Sequence, residues 1–257
     1  MEFKTLEQWM SQKNSDYYKN PKTKIYDDFL TYAQSEQGKL TWANAKDFYN
    51  YAQENPKENY SILEAGVGNG AFAKGFLKTI HELDETNSTG ILQKINYTLA
   101  DFSEPVLQKA KKFNKKFEDF CKIQTFHFDA SLSECKMCGE FSDKIEGLGE
   151  YDLIRCNELF SDVPAELFCK SDEQIFSVYL DEKMSAQLKS ATADDLSELE
   201  LKLLYSLPDN YFIPINRQAA DSISFLSNHL GGSGYMDIFD YGFYRYSNTY
   251  SKSCSHY

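Results

Sequence analysis

Ser61-Ile62-Leu63-Glu64-Ala65-Gly66-Val67-Gly68-Asn69-Gly70 runs from a short apolar segment into alternating glycines. Immediately after it, from Ala71 to Leu83, Phe72, Phe76, Leu77 and Ile80 recur at helical spacing. Strand, turn and helix therefore follow one another within 25 residues of about Ser61. The glycines let the chain bend sharply and let backbone approach a ligand where a side chain would collide. A plain tight turn would account for them equally well.

The pattern repeats outward from that point. Tyr97 to Phe102 reads as a second strand and Val106 to Phe120 as an amphipathic helix; Ile123 to Phe128 and Tyr151 to Cys156 read as third and fourth strands. Ala219 to Leu230 is helical, stopped by Gly231-Gly232, and Tyr235 to Asp240 is a fifth strand. Strands alternating with helices imply right-handed crossovers and a mostly parallel sheet, an α/β Rossmann-like fold whose ligands sit outside the carboxyl ends of the strands.

Ahead of this lies a polar and aromatic helical stretch, broken at Asn20-Pro21 and closed at Asn55-Pro56. We therefore divide the chain into an N-terminal helical region, 1–56, and an α/β domain, 57–257. Ser131 to Glu150 has no sustained period and reads as a loop. Residues 164–208 read as a mainly helical insertion, with Ala193 to Leu204 amphipathic and Leu207-Pro208 as its stop. Tyr211 to Ile215 is expected to pair locally.

Composition narrows the class. The chain has 257 residues, 42% hydrophobic and 15% aromatic, which is the range of folded globular proteins. Its formal net charge of -12 would repel a phosphate backbone. The lysine stripe Lys109, Lys111, Lys112, Lys115 and Lys116 reads as a solvated helix face, so no nucleic acid partner is expected. No apolar run approaches the ~20 residues that span a bilayer, and Met1 to Asn20 is polar, so a cytoplasmic location without membrane attachment is expected. The pair Cys135 and Cys138 has no second pair at zinc-finger spacing, and we expect reduced surface thiols and no metal.

The chemistry concentrates at the strand ends. Glu64 precedes the glycines Gly66, Gly68 and Gly70; a carboxylate there would repel a pyrophosphate but attract a cationic amino group. Asp101, with Phe102 beside it, ends the second strand, where a carboxylate can accept both ribose hydroxyls. Either acid alone is also explained as a helix cap or a solvated charge. Asp129 follows the third strand and can accept from an adenine amino group with Phe128 or Ala130 against the ring, or can simply cap the next turn. Asn157 and Glu158 follow the fourth strand, with Asp162 close behind; a helix cap is the alternative for Asn157. The set suits a nucleoside with an amino-acid tail, which is the shape of S-adenosylmethionine.

These residues sit in segments that resemble a family. Asn96 to Ala110 (NYTLADFSEPVLQKA), Asn157 to Pro164 (NELFSDVP), Tyr235 to Phe243 (YMDIFDYGF) and Asp27 to Gln34 (DDFLTYAQ) resemble motifs of the MidA-like methyltransferases. The resemblance implies a class I fold, S-adenosylmethionine as cofactor, and a protein arginine as acceptor. For a guanidinium acceptor we expect Glu158 to align and polarise the nitrogen, with Asn157 and Asp162 holding the same group by hydrogen bonds, and the negative net charge favours a protein partner that presents a basic segment. The sequence departs from the pattern at Ser161, where the family usually has Asp, with Asp162 one step on. After the fifth strand only Phe243 to Tyr257 remain, so the last two strands of a seven-stranded sheet are expected to be missing.

Two rival functions carry forward. A nicotinamide-dependent oxidoreductase could use the same glycine turn, although Glu64 and the lack of an evident Tyr-Lys or His relay count against it. A non-catalytic cofactor-binding assembly protein is supported by Ser161 and the short C-terminus. A serine hydrolase is disfavoured by the absence of GxSxG.

Overall fold

The computed structural model describes residues 2–18, 38–131, 149–192 and 195–240. The segments 27–34, 135–138 and 241–257, on which part of the sequence reading fell, lie outside the described residues.

The glycine-turn strand becomes β2 (Tyr60–Ala65), flanked by β3 (Ile95–Asp101), β4 (Lys122–His127), β5 (Tyr151–Asn157) and β10 (Leu230–Phe239). They form one parallel sheet in the order β10-β5-β2-β3-β4. Strand order reverses between β2 and β5, which is where the carboxyl edge opens a crevice for ligands. The Rossmann-like α/β reading therefore holds.

Both faces of the sheet are covered, as a parallel sheet requires. On one face Ile62, Tyr97 and Leu99 pack against Ala45 and Phe48 of α2 (Lys39–Glu54), Phe76 and Ile80 of α3 (Ala71–Asn87), and Leu107 and Ala110 of α4 (Glu104–Asn114). On the other, Leu63, Ala65, Ile154 and Cys156 meet Ala219 and Leu226 of α6 (Arg217–Ser227). The two-residue period of a strand makes this division, and it also decides which face each strand-end acid occupies.

The insertion corrects the sequence reading. Residues expected to be mainly helical carry β6 (Glu166–Ser171), β7 (Gln174–Leu180) and β8 (Ala186–Ser190), and among the described residues of the segment the α-helix is α5 (Glu198–Ser206). With β1 (Lys4–Thr5) and β9 (Tyr211–Ile215) they build a second, antiparallel sheet. Asp172 and Glu173, both with positive φ (48° and 58°), make the two-residue turn that folds β6 back on β7. Asp181 then accepts the backbone N–H of Lys183 and Ser185 in the turn to β8. α5 begins where Ser197 and Glu200 form a reciprocal cap, later than the amphipathic pattern suggested.

α1 (Leu6–Tyr18) lies against the second sheet, where the Trp9 indole N–H donates to the Leu180 carbonyl at 3.0 Å. None of its residues is fully buried. Among the described residues no helix is long and apolar enough to cross a membrane.

Candidate active site

Gly66, Gly68 and Gly70 all adopt positive φ (73°, 56° and 79°). The N–H groups of Gly66 and Val67 both donate to the Ala100 carbonyl, at 2.8 and 3.0 Å, which turns the chain across the end of β3. A Cβ on Gly66 would stand 3.0 Å from the Leu159 side chain, so this glycine makes room for the segment after β5. Gly70 serves the packing of two helices, because a Cβ there would come within 2.9 Å of the Ala110 backbone and hold α3 away from α4.

At the carboxyl edge is a cavity of about 310 Å³, within the range of small-molecule sites. Gly66, Asp101, Phe102, Phe128, Asp129 and Ala130 form one side of it. Glu158, Leu159 and Asp162 form the other, and Ser11, Asn14, Ser15 and Tyr18 of α1 close over both.

Asp101 is 6% exposed. Its Oδ1 accepts from Ser103 N at 3.0 Å and its Oδ2 from Gly68 N at 3.3 Å. Burial pushes its carboxyl up to about 7, against the opposing pull of those backbone donors. Gly68 does not line the cavity; it steadies Asp101. Asp129 accepts from both the N–H and the hydroxyl of Ser131, at 3.0 and 2.5 Å, which is the turn-capping role, and its charge raises Asp101 further.

Across the cavity Glu158 sits at φ 49°, a left-handed conformation that a non-glycine residue adopts at a cost. Its N–H donates to the Phe239 carbonyl at 2.7 Å, and Asp240 accepts from the N–H groups of Phe160 and Ser161 at 2.7 and 3.1 Å. The end of β10 thus clamps the segment that carries Glu158 and Asp162. Partial desolvation raises the Asp162 carboxyl above the usual carboxylate range, although the residue keeps contact with solvent; the charges of Asp240 and Glu158 raise it too, while a hydrogen bond from Tyr18 opposes the rise.

Two expected site residues lie elsewhere. Glu64 is 2% exposed and does not line the cavity: its Oε2 accepts from the Tyr97 hydroxyl at 2.6 Å. It shares a strand face with Ile62, so its side chain runs under α2 and α3, away from the cavity. Burial pushes it up to about 7, opposed by Tyr97 and by the Arg155 guanidinium. Asn157 follows Arg155 by two positions and faces the same way, accepting from Arg155 Nη2 at 3.3 Å. Arg155 itself is 1% exposed; it donates to Asp237 at 2.8 Å and to Asn44, and stacks 3.3 Å from the Phe72 ring. Neither Glu64, expected to meet a ligand amino group, nor Asn157, expected to meet an acceptor, lines this cavity: Glu64 is buried against Tyr97, and Asn157 is half-buried beside Arg155.

Sequence reasoning missed the α1 residues. Tyr18 lies 144 positions from Asp162, and no motif announces the pairing. Asp240 is legible in the sequence as the end of the fifth strand and within the Tyr235 to Phe243 segment, with no role attached to it.

A scan of protein families matches residues 45–256 to the family described as "Putative S-adenosyl-L-methionine-dependent methyltransferase". Among solved structures, a Burkholderia thailandensis protein bound to S-adenosyl-homocysteine is 14% identical, with 94% of this chain and 59% of that one covered at a TM-score of 0.64. A native crystal structure of an uncharacterised protein from the same organism is 15% identical, over 95% and 58%, at 0.63. At such identities these relatives show the fold alone, and the chain spans less than three fifths of their length. No curated protein matches. Because the family model covers residues 45–256, most of the 257, the chain belongs to this S-adenosyl-L-methionine-dependent methyltransferase family, whose cofactor is S-adenosyl-L-methionine.

Proposed function

We propose that the protein transfers the methyl group of S-adenosylmethionine to an arginine side chain of a protein that presents a basic segment. The residues of the cavity fit the cofactor. Asp101 keeps a buried carboxylate at the wall with acceptor capacity left for ribose hydroxyls. Phe102, Phe128 and Ala130 offer apolar surface for an adenine ring, and the close packing at Gly66 leaves backbone, with no side chain, facing the space. When bound, the cofactor supplies an electrophilic methyl group on a sulfonium.

The observation that carries the acceptor side is that Glu158 and Asp162 line the same cavity as Asp101. Two carboxylates facing one space suit a guanidinium, which presents several N–H donors in a plane. Glu158 orients the nitrogen for in-line attack and accepts the proton released as the C–N bond forms; Asp162 holds the remaining N–H groups. The arginine acceptor itself rests on the resemblance to MidA-like methyltransferases. The net charge of -12 favours approach of a basic segment, and the buried free thiols Cys121, Cys156 and Cys169 suit a reducing cytoplasm.

The test uses labelled methyl donor with arginine-containing basic peptides. Glu158→Gln should lower transfer by about 100-fold, a typical loss for a general base, while calorimetric affinity for S-adenosyl-homocysteine stays within about twofold. Parallel loss of both would assign Glu158 to the cofactor or to the fold, and unchanged transfer would remove it from the chemistry.

A further inference from the structure

We propose that Tyr18 is a positioning residue for methyl transfer: through it, helix α1 fixes the Asp162 carboxylate and ties it to the cofactor side of the cavity. The inference rests on the methyl-transfer reading above and adds to it a residue that no sequence motif marks.

Tyr18 is bonded in two directions. Its hydroxyl donates to Asp162 Oδ2 at 2.7 Å, and its carbonyl accepts from Ser103 Oγ at 2.6 Å. Ser103 is 1% exposed, and its N–H is the donor to Asp101 Oδ1. Asp101, Ser103, Tyr18 and Asp162 therefore form one chain of hydrogen bonds that spans the cavity wall from the nucleoside side to the acceptor side. The Tyr18 ring also meets the Phe102 ring edge-on, centroids 5.6 Å apart.

The other groups facing Asp162 make this donor necessary. Glu158 on its own segment and Asp240 after β10 are both acidic, and both resist its ionisation. Asp240 is occupied with the N–H groups of Phe160 and Ser161. From α1, Asn14 donates to the Asp162 carbonyl at 2.6 Å, which places the backbone, and Tyr18 alone donates to the carboxylate among the bonds described. A carboxylate held between like charges needs such a donor to stay ionised and in one orientation. α1 can impose that orientation because its far end is fixed: Trp9 is bonded to Leu180, and Gln218 donates to Glu7 at 2.6 Å. Burial raises the Tyr18 phenol, and the charges of Asp162, Asp101 and Tyr17 raise it further. The hydroxyl therefore stays a donor throughout the working pH range.

The experiment pairs a readout independent of activity with one that depends on it. In Tyr18→Phe, the Asp162 carboxyl, followed by NMR of aspartate labelled at the side-chain carbon and assigned with Asp162→Asn, should titrate at higher pH than in the native protein. In the same variant, transfer to a basic peptide should fall about tenfold, the effect of one charge-assisted hydrogen bond, with the acid limb of the rate profile moved to higher pH and S-adenosyl-homocysteine affinity within about twofold. Lys13→Ala, on the exposed side of α1, should change neither readout. The double variant Tyr18→Phe with Asp162→Asn should lose no more activity than Asp162→Asn alone; it keeps the test sound if the phenylalanine also lowers the melting temperature. An unmoved Asp162 titration, or additive losses in the double variant, overturns the proposal. If the native protein methylates no arginine peptide, the functional reading fails by itself, and the titration still decides the Tyr18 contact.

Discussion

Asp101 ends β3 and Glu64 stands one residue before the end of the neighbouring parallel strand β2; each is at most 6% exposed, and each is pushed up to about 7 by burial. Yet Glu64 is enclosed by Tyr97 and the Arg155 cluster, whereas Asp101 opens onto the cavity beside Phe102. The register explains the difference: Ala65, the last residue of β2, pairs with Ala100, so Asp101 stands one step past the end of its neighbour while Glu64 is still inside the sheet. A perturbed carboxyl therefore marks desolvation, and only access makes it a site.

Removing Arg155 should have the largest effect. Arg155→Leu leaves the buried Glu64 and the partly exposed Asp237 without their cation, and a loss of about 3 kcal/mol in denaturant unfolding is expected, the low end of the usual cost of breaking a buried ion pair from one side. A loss near zero would mean that the cluster is solvated and that the contrast with the cavity is false.

Next in size are the two acids themselves. Asp101→Ala should weaken S-adenosyl-homocysteine binding by about tenfold or more in calorimetry, the cost of one charged hydrogen-bond acceptor. Glu64→Gln should leave that affinity within about twofold and show its effect in stability instead. Equal losses of affinity would restore Glu64 to the cofactor.

The smallest effect is in pH dependence. Burial pushes both carboxyls up to about 7 in the folded chain, from ordinary values of 4.5 and 3.8, so the folded state holds more protons between those limits. Their contribution to stability is full below about pH 4, declines as pH rises, and is lost above about 7. The denaturation midpoint should be lower at pH 8 than at pH 5 on their account. Glu64→Gln should flatten the slope without changing how cofactor affinity varies with pH, while Asp101→Asn should remove a rise in that affinity as the carboxyl ionises. If Glu64→Gln alters the affinity profile, the two acids share one environment after all.

Much of this was legible in the chain. The glycine turn followed by Phe72, Phe76 and Ile80 announced a strand, a bend and a helix, and the alternation that follows required a parallel sheet. The insertion was less legible because its signals were local and ambiguous. Leu167 to Cys169 and Ile175 to Leu180 are short apolar runs that suit either a strand or a buried helix, and their connecting turn uses Asp172 and Glu173 where Asn-Gly would have declared a hairpin. Pairing with β9, more than 40 residues later in the chain, decided the matter.

The sequence by itself determined the elements of the sheet, the sharp turn at its carboxyl edge, and the acids that stand at the strand ends, because these follow from periodicity and from glycine's freedom at positive φ. Only the tertiary structure decided which acids meet. β2 is buried on both faces, so alternation could not say whether Glu64 points to the helices or to the cavity. The partnership of Tyr18 with Asp162 depends on a helix fixed by a distant sheet, and contacts so far apart along the chain leave no local period to read.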